Sequence, residues 1–200
     1  MPLVAAIFFS SCQTTPTRYE NKSEGYWQTK VLIKDKKQSK SYIVHVDMNA
    51  RIGENLRLDV TTPLGGHLAS LVLNDQEVRY VVVKQKRFYT GKPTPKALQP
   101  LISVPLDPVL MYNILFDKPI AREGWSCEKS KDSFLEACRS EKEQISLRWT
   151  DRVLNRKTVH IEHPKAHLQM NFFTYDEQIQ DKKNLFSLDA PKNFKVLKIR

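Results

Sequence analysis

Apolar and polar residues alternate with period two along most of this chain of 200 residues. Val31 and Ile33 alternate with polar neighbours, as do Val44, Val46 and Met48, then Leu56, Leu58 and Val60, then Ala69, Leu71 and Leu73. The series runs on through Val78, Tyr80 and Val82, resumes at Ile145, Leu147 and Trp149 and at Leu168, Met170 and Phe172, and closes at Phe186 and Leu188. Successive side chains of a strand point to opposite faces, so each run predicts a strand with one buried face. Turn-forming pairs such as Gly65-Gly66 and Asn74-Asp75 separate neighbouring runs. Short connections of that kind favour an antiparallel meander over a Greek key. A meander this wide must curl, close or pack on something, because its apolar face cannot be left in water.

The alternation fails between Gly91 and Pro119, where the chain is rich in proline and apolar residues. Thr94-Pro95 and Asp107-Pro108 each set a capping residue before a first-turn proline, which predicts two short helices. The second, from Pro108 to Phe116, is apolar nearly all round and so is buried on most sides. The concave face of a curved sheet is the place for it, either as ordinary core or as a plug or lid over an apolar cavity.

Composition narrows the functional classes. The formal net charge is +10, but its lysines and arginines are dispersed through the predicted strands. Nucleic-acid binding would require aromatic platforms among the basic groups or a recognition helix, and neither is present. An anionic lipid surface or plain solubility accounts for the charge better. His160, His163 and His167 form the one histidine group, interrupted by Pro164 and at a spacing that fits no zinc signature. Gly-x-Ser-x-Gly elbows and glycine-rich phosphate loops are also missing. The reading is therefore of a non-enzyme with no catalytic residues, no metal and no cofactor. His67 reads as a polar loop residue.

The N-terminus changes the picture again. Leu3 to Phe9 form a short apolar run that passes through Ser10-Ser11 to Cys12, an arrangement that looks like a lipobox ending in a lipidated cysteine. No basic residue precedes Arg18, so the usual n-region is missing. On this reading residues 1–11 are a lipoprotein signal peptide, 12–25 a tether headed by Gln13-Thr14-Thr15-Pro16-Thr17, and 26–200 one domain. Cys127 and Cys138 flank a polar stretch between two predicted strands, where they are either a disulfide or two buried thiols. A disulfide fits export to an oxidising compartment.

The run Leu56-Arg57-Leu58-Asp59-Val60-Thr61-Thr62-Pro63-Leu64-Gly65-Gly66-His67-Leu68 resembles the strand, Pro-Leu-Gly loop and strand of the LolB family of outer-membrane lipoprotein receptors. The order beyond it agrees: a strand pair, Tyr89-Thr90, a short helix, the Val104-Pro105-Leu106 bend, an apolar helix and Lys118-Pro119. The ending from Leu185 to Leu197 resembles the closing strands of the wider LolA/LolB-like superfamily. The similarity is good from Trp27 to Pro119 and weaker beyond.

The resemblance implies a mainly β (α+β) fold: a curved antiparallel sheet forming a half-open, incomplete β-barrel, with short helices on the concave side and a cavity for acyl chains. It implies an outer-membrane lipoprotein, lipid-anchored through Cys12 and facing the periplasm. Such a protein accepts lipoproteins from a periplasmic LolA-like carrier and inserts them into the outer membrane. Leu64, between Pro63 and Gly65, matches the family's exposed loop leucine and would contact the membrane; without the resemblance it reads equally well as a packed turn residue. Candidate cavity residues are Val46, Leu58, Leu71, Val82, Leu147 and Met170 from the strands, with Leu110, Ile114 and Leu115 from the helix. The expected partners are lipoprotein acyl chains, the carrier and outer-membrane lipids, with the chain monomeric and nucleic acid excluded. A lipid- or hydrophobic-ligand-binding envelope lipoprotein with another partner, or a structural one with no cargo, are the alternatives.

Overall fold

The computed structural model describes residues 15–95, 97–98, 107–179 and 184–199. Cys12, the apolar run before it and the Val104-Pro105-Leu106 bend lie outside the described residues. So does most of the helix expected after Pro95; its start is a turn in which the Ala97 N–H bonds the Thr94 carbonyl.

Twelve strands form one sheet: β1 (Glu24–Asp35), β2 (Lys40–Arg51), β3 (Asn55–Thr61), β4 (His67–Asn74), β5 (Val78–Val82), β6 (Arg87–Gly91), β7 (Ser126–Lys129), β8 (Leu135–Ser140), β9 (Ile145–Val153), β10 (Arg156–His163), β11 (Ala166–Asp176) and β12 (Lys195–Lys198). Their spatial order is β12-β6-β5-β4-β3-β2-β1-β11-β10-β9-β8-β7. The sheet is curved and does not close into a barrel. Two meanders therefore make the fold, β1 to β6 and β7 to β11, joined where β1 pairs antiparallel with β11. That join is remote in sequence, so the alternation that located the strands carried no trace of it.

The register puts the predicted apolar positions on one face without a break. Met48 lies opposite Leu58, Leu58 opposite Leu71, and Leu71 opposite Tyr80. On the other side of β1, Val31 faces Met170, Met170 faces Val159, and Val159 faces Trp149. These side chains belong to a single buried cluster together with residues 97–98 and 110–120 of the connection between the meanders. The interior is thus one sheet face covered by its own crossing connection.

Two elements differ from the sequence reading. Phe186 and Leu188 alternate as in a strand, yet residues 184–194 form no strand and instead cross the opposite, convex face. The Arg57 guanidinium donates to the Leu185 carbonyl at 3.0 Å and to that of Ser187 at 3.3 Å, and Arg51 stands over the Phe186 ring. The strap ends as β12, which joins β6 in parallel, from Lys195 opposite Arg87 to Lys198 opposite Thr90. Gly91 makes room for it, since a Cβ there would stand 2.8 Å from the Ile199 Cβ.

The second difference is the domain's beginning, drawn from sequence at residue 26. Thr17 donates its N–H to the Leu154 carbonyl, and a short 3-10 turn (Tyr19–Asn21) follows. The Tyr19 ring is 1 % exposed, and its hydroxyl donates to the Asn155 carbonyl at 2.6 Å. Residues 17–25 are part of the folded domain. The change follows from burying an aromatic ring, which outweighs the polar character of its neighbours.

Candidate functional site

The centre of the concave face is occupied by α1 (Leu110–Leu115), shorter than the Pro108–Phe116 span expected. At its start the Asp107 carboxylate accepts the Val109 N–H at 2.9 Å and the Arg122 guanidinium at 2.7 Å, satisfying an otherwise orphan helix donor. At its end the chain turns through Asp117, whose φ is +49°. Leu110, Ile114, Leu115 and Phe116 have no exposed surface, and the Phe116 ring meets Trp27 edge-on at 5.1 Å.

Lys157 fastens this helix to the sheet. It sits on β10 in phase with Val159 and Ile161, pointing to the apolar side, and it is 1 % exposed. Its ammonium donates to the carbonyls of Ile114 at 2.8 Å and Leu115 at 2.7 Å and to the Asp117 carboxylate at 2.7 Å. Those two carbonyls are among the helix's orphan acceptors, and a cation there also meets the negative end of its dipole. The rings of Tyr19 and Phe172 lie 4.2 and 5.0 Å from the ammonium. Arg152 makes a second ion pair with Asp117 and donates to the Leu135 carbonyl. Burial lowers the Lys157 pKa from 10.5 to about 8, with Asp117 opposing the shift. Lysine in a strand ordinarily faces water, yet the phase of Lys157 with Val159 and Ile161 turns it inward.

The nine residues named for an acyl-chain cavity do share this face and cluster. Val46, Leu71, Val82, Leu110, Ile114, Leu115, Leu147 and Met170 are buried, and Leu58 is half-buried. In the described structure they pack against one another and α1. Three side-chain donors in the same interior, Trp27 Nε1, Thr29 Oγ1 and Trp149 Nε1, find no hydrogen-bond partner among the described residues. Each such group carries a desolvation cost of about 1–3 kcal/mol.

At one rim of the sheet stands the Pro63-Leu64-Gly65 loop between β3 and β4. Gly65 adopts φ +83°, a left-handed conformation that glycine takes without strain. The Gly65 N–H bonds the Thr62 carbonyl, and the Gly66 N–H bonds the Thr62 hydroxyl. A hydrogen-bonded turn therefore holds the leucine at its apex, 98 % exposed. Leu64 is the most exposed of the large apolar side chains described, and nothing in the fold uses it.

The remaining candidates resolve by position. Cys127 and Cys138 face each other across β7 and β8 and are joined in a disulfide. The His160 and His167 rings lie 5.8 Å apart, tilted by 38°, on the convex face, His167 Nδ1 bonds the Glu162 carboxylate, and the buried His163 Nδ1 accepts the Lys165 N–H within a turn. Burial lowers the pKa of His160 and of His163. No three metal-ligating side chains gather among the described residues. His67 opens β4 as an exposed residue, with Nε2 3.1 Å from the Ser70 hydroxyl.

No protein-family model and no curated protein matches this sequence. Among solved structures, a LolA superfamily protein from Nitrosomonas europaea aligns over 84 % of this chain and 91 % of its own, with TM-score 0.51 and 8 % identity. An uncharacterised conserved protein from Thermus thermophilus aligns over 91 % and 94 % at TM-score 0.45 and 12 % identity. A Vibrio parahaemolyticus domain assigned to outer membrane lipoprotein sorting aligns over 82 % and 89 % at 0.46 and 7 %. The architecture is thus similar to that of a LolA superfamily protein: an open, curved sheet with an apolar concave side. The likeness is one of fold.

Proposed function

We propose that this chain is a non-enzymatic lipoprotein receptor of the LolB type, anchored in the outer membrane through a lipid on Cys12 and facing the periplasm. It accepts lipoproteins from a soluble LolA-like carrier, holds their acyl chains against the concave face and passes them to the bilayer. The observation that carries the reading is the 98 % exposure of Leu64 at the apex of a hydrogen-bonded turn beside an apolar concave face. Burying that side chain in lipid is worth about 1.5–3 kcal/mol, a gain the folded protein alone does not collect.

The energetics need no nucleotide or other cofactor. A 16-carbon chain resists transfer into water by about 12 kcal/mol. An apolar protein face removes most of that cost, so small affinity differences between carrier, receptor and bilayer set the direction. An acyl chain enters the concave face where α1 yields to admit it. The unpartnered Trp27, Thr29 and Trp149 donors support a ligand bearing acceptor oxygens, as the ester and amide carbonyls of a lipidated cysteine do.

The reading is tested by incubating the purified chain with a carrier loaded with a palmitoylated lipoprotein. Recovery of the cargo on this chain is expected. Cargo that stays on the carrier overturns the receptor role and leaves a hydrophobic-ligand-binding or structural envelope protein.

A further inference from the structure

The turns on either side of Leu64 share a property that the loop does not need for its own fold. The last pairs of the ladders place them on one rim: Asp35 with Lys40 beside the β1–β2 turn, His45 with Thr61 beside the Leu64 loop, Val82 with Arg87 beside the β5–β6 turn, and His163 with Ala166 beside the β10–β11 turn. Exposed lysines occupy three of these turns: Lys36, Lys37 and Lys40 at the first hairpin, Lys84 and Lys86 at the β5–β6 turn, and Lys165 at the β10–β11 turn. Lys36 pairs with Glu162, whereas Lys37, Lys40, Lys84, Lys86 and Lys165 make no ion pair among the described residues. Acidic residues also lie on this rim at the β8–β9 turn, where Glu141 lines one depression with Lys36 and Glu143 accepts from Trp125 Nε1.

The opposite rim is mixed in sign: Glu54, Asp75 and Asp176 stand there beside the ion pairs Lys22–Glu177, Arg51–Glu24 and Arg79–Glu77. Apolar side chains join the basic rim and not only at Leu64. Because β3 ends opposite His45, the first residues of β2 overhang it, and Tyr42 and Ile43 on that overhang are 47 % and 44 % exposed.

We infer that this rim is a docking surface for an anionic lipid bilayer, with the lysines of the β1–β2 and β5–β6 hairpins meeting the headgroups on either side of an inserted Leu64, and Tyr42 and Ile43 at the interface. The inference deepens the receptor reading, since it fixes which edge of the sheet faces the membrane. Exposed aliphatic and aromatic side chains ringed by unpaired lysines fit a headgroup layer, which offers negative charge and, just below it, hydrocarbon.

The test uses the full chain carrying Cys12→Ala, so that no attached lipid contributes. Sedimentation is measured with vesicles of phosphatidylcholine alone and of equal parts phosphatidylcholine and phosphatidylglycerol. Tighter binding to the anionic vesicles is expected, weakening as salt is raised. Replacing Lys37, Lys40, Lys84 and Lys86 together by glutamine lowers affinity for the anionic vesicles by about fivefold per lysine. The matched control, glutamine at Lys92, Lys129, Lys131 and Lys198 away from this rim, has the same net charge and binds as wild type. Equal binding to both vesicle types overturns the inference, as does an equal loss in the control. Full vesicle binding by the rim variant, with loss only of its association with the carrier, also overturns it and points to an acidic protein partner. Failure of cargo transfer with vesicle binding intact refutes the receptor reading and leaves the docking rim standing.

Discussion

Two apolar features, the α1 helix and the Leu64 loop, end in opposite environments. Leu110, Ile114 and Leu115 have no exposed surface, while Leu64 is 98 % exposed at the end of a tight turn. The helix is held at both ends, by Asp107 with Arg122 and by Lys157 with Asp117. The leucine is held by nothing beyond its own turn. Folding accounts for the first feature completely and for the second not at all, and the leucine that folding does not use is the one to which a function is assigned.

The contrast predicts a graded set of effects. Asp117→Ala leaves the Lys157 ammonium buried without its carboxylate, and removing one partner of a buried pair costs about 3–5 kcal/mol; a urea midpoint close to wild type would break the latch account. Leu115→Ala removes a buried side chain at the helix end and costs about 2–5 kcal/mol by the same assay. Cys127→Ser with Cys138→Ser releases a loop with a sequence separation of 11, worth about 3 kcal/mol in the chain-entropy treatment. Because this staple sits at the outermost strands, lipid delivery survives its loss at temperatures where the variant stays folded.

A pH-dependent effect follows from the Lys157 pKa, lowered in the folded state by burial to about 8 from 10.5. The folded protein gives up this proton before the unfolded chain does, so the group's contribution to stability rises as pH climbs from about 8 toward 10.5 and is flat below that window. Stability of wild type relative to Lys157→Met therefore increases with pH over that range; a difference that falls would put the lysine in a different environment. Smallest of all is the stability change in Leu64→Glu, within about 0.5 kcal/mol of wild type.

Most of the strands and their faces were legible in the sequence because period-two alternation and turn chemistry are local, whereas the exposure of Leu64 was implied only by the family resemblance. The six strand residues named for the cavity, Val46, Leu58, Leu71, Val82, Leu147 and Met170, share one face, since one correct register fixes the parity of a whole strand. Lys157 was missed because a lysine in a strand reads as outward, and its burial depends on Asp117, 40 positions earlier and across the interior. The pairing of β1 with β11 and the strap from Asn184 to Phe194 were illegible for a related reason. Each depends on partners more than 100 residues away in sequence, as Arg57 and Leu185 are with a separation of 128. Phe186 and Leu188 alternate without forming a strand, in a segment whose contacts are to the distant Arg51 and Arg57.

The receptor role is tested most directly in cells depleted of this protein and complemented with either wild type or Leu64→Glu, by fractionating lipoproteins between inner and outer membranes. Wild type restores outer-membrane delivery, while the variant, folded and present at normal level, leaves lipoproteins undelivered. Normal sorting after depletion, or full rescue by Leu64→Glu, would contradict the account.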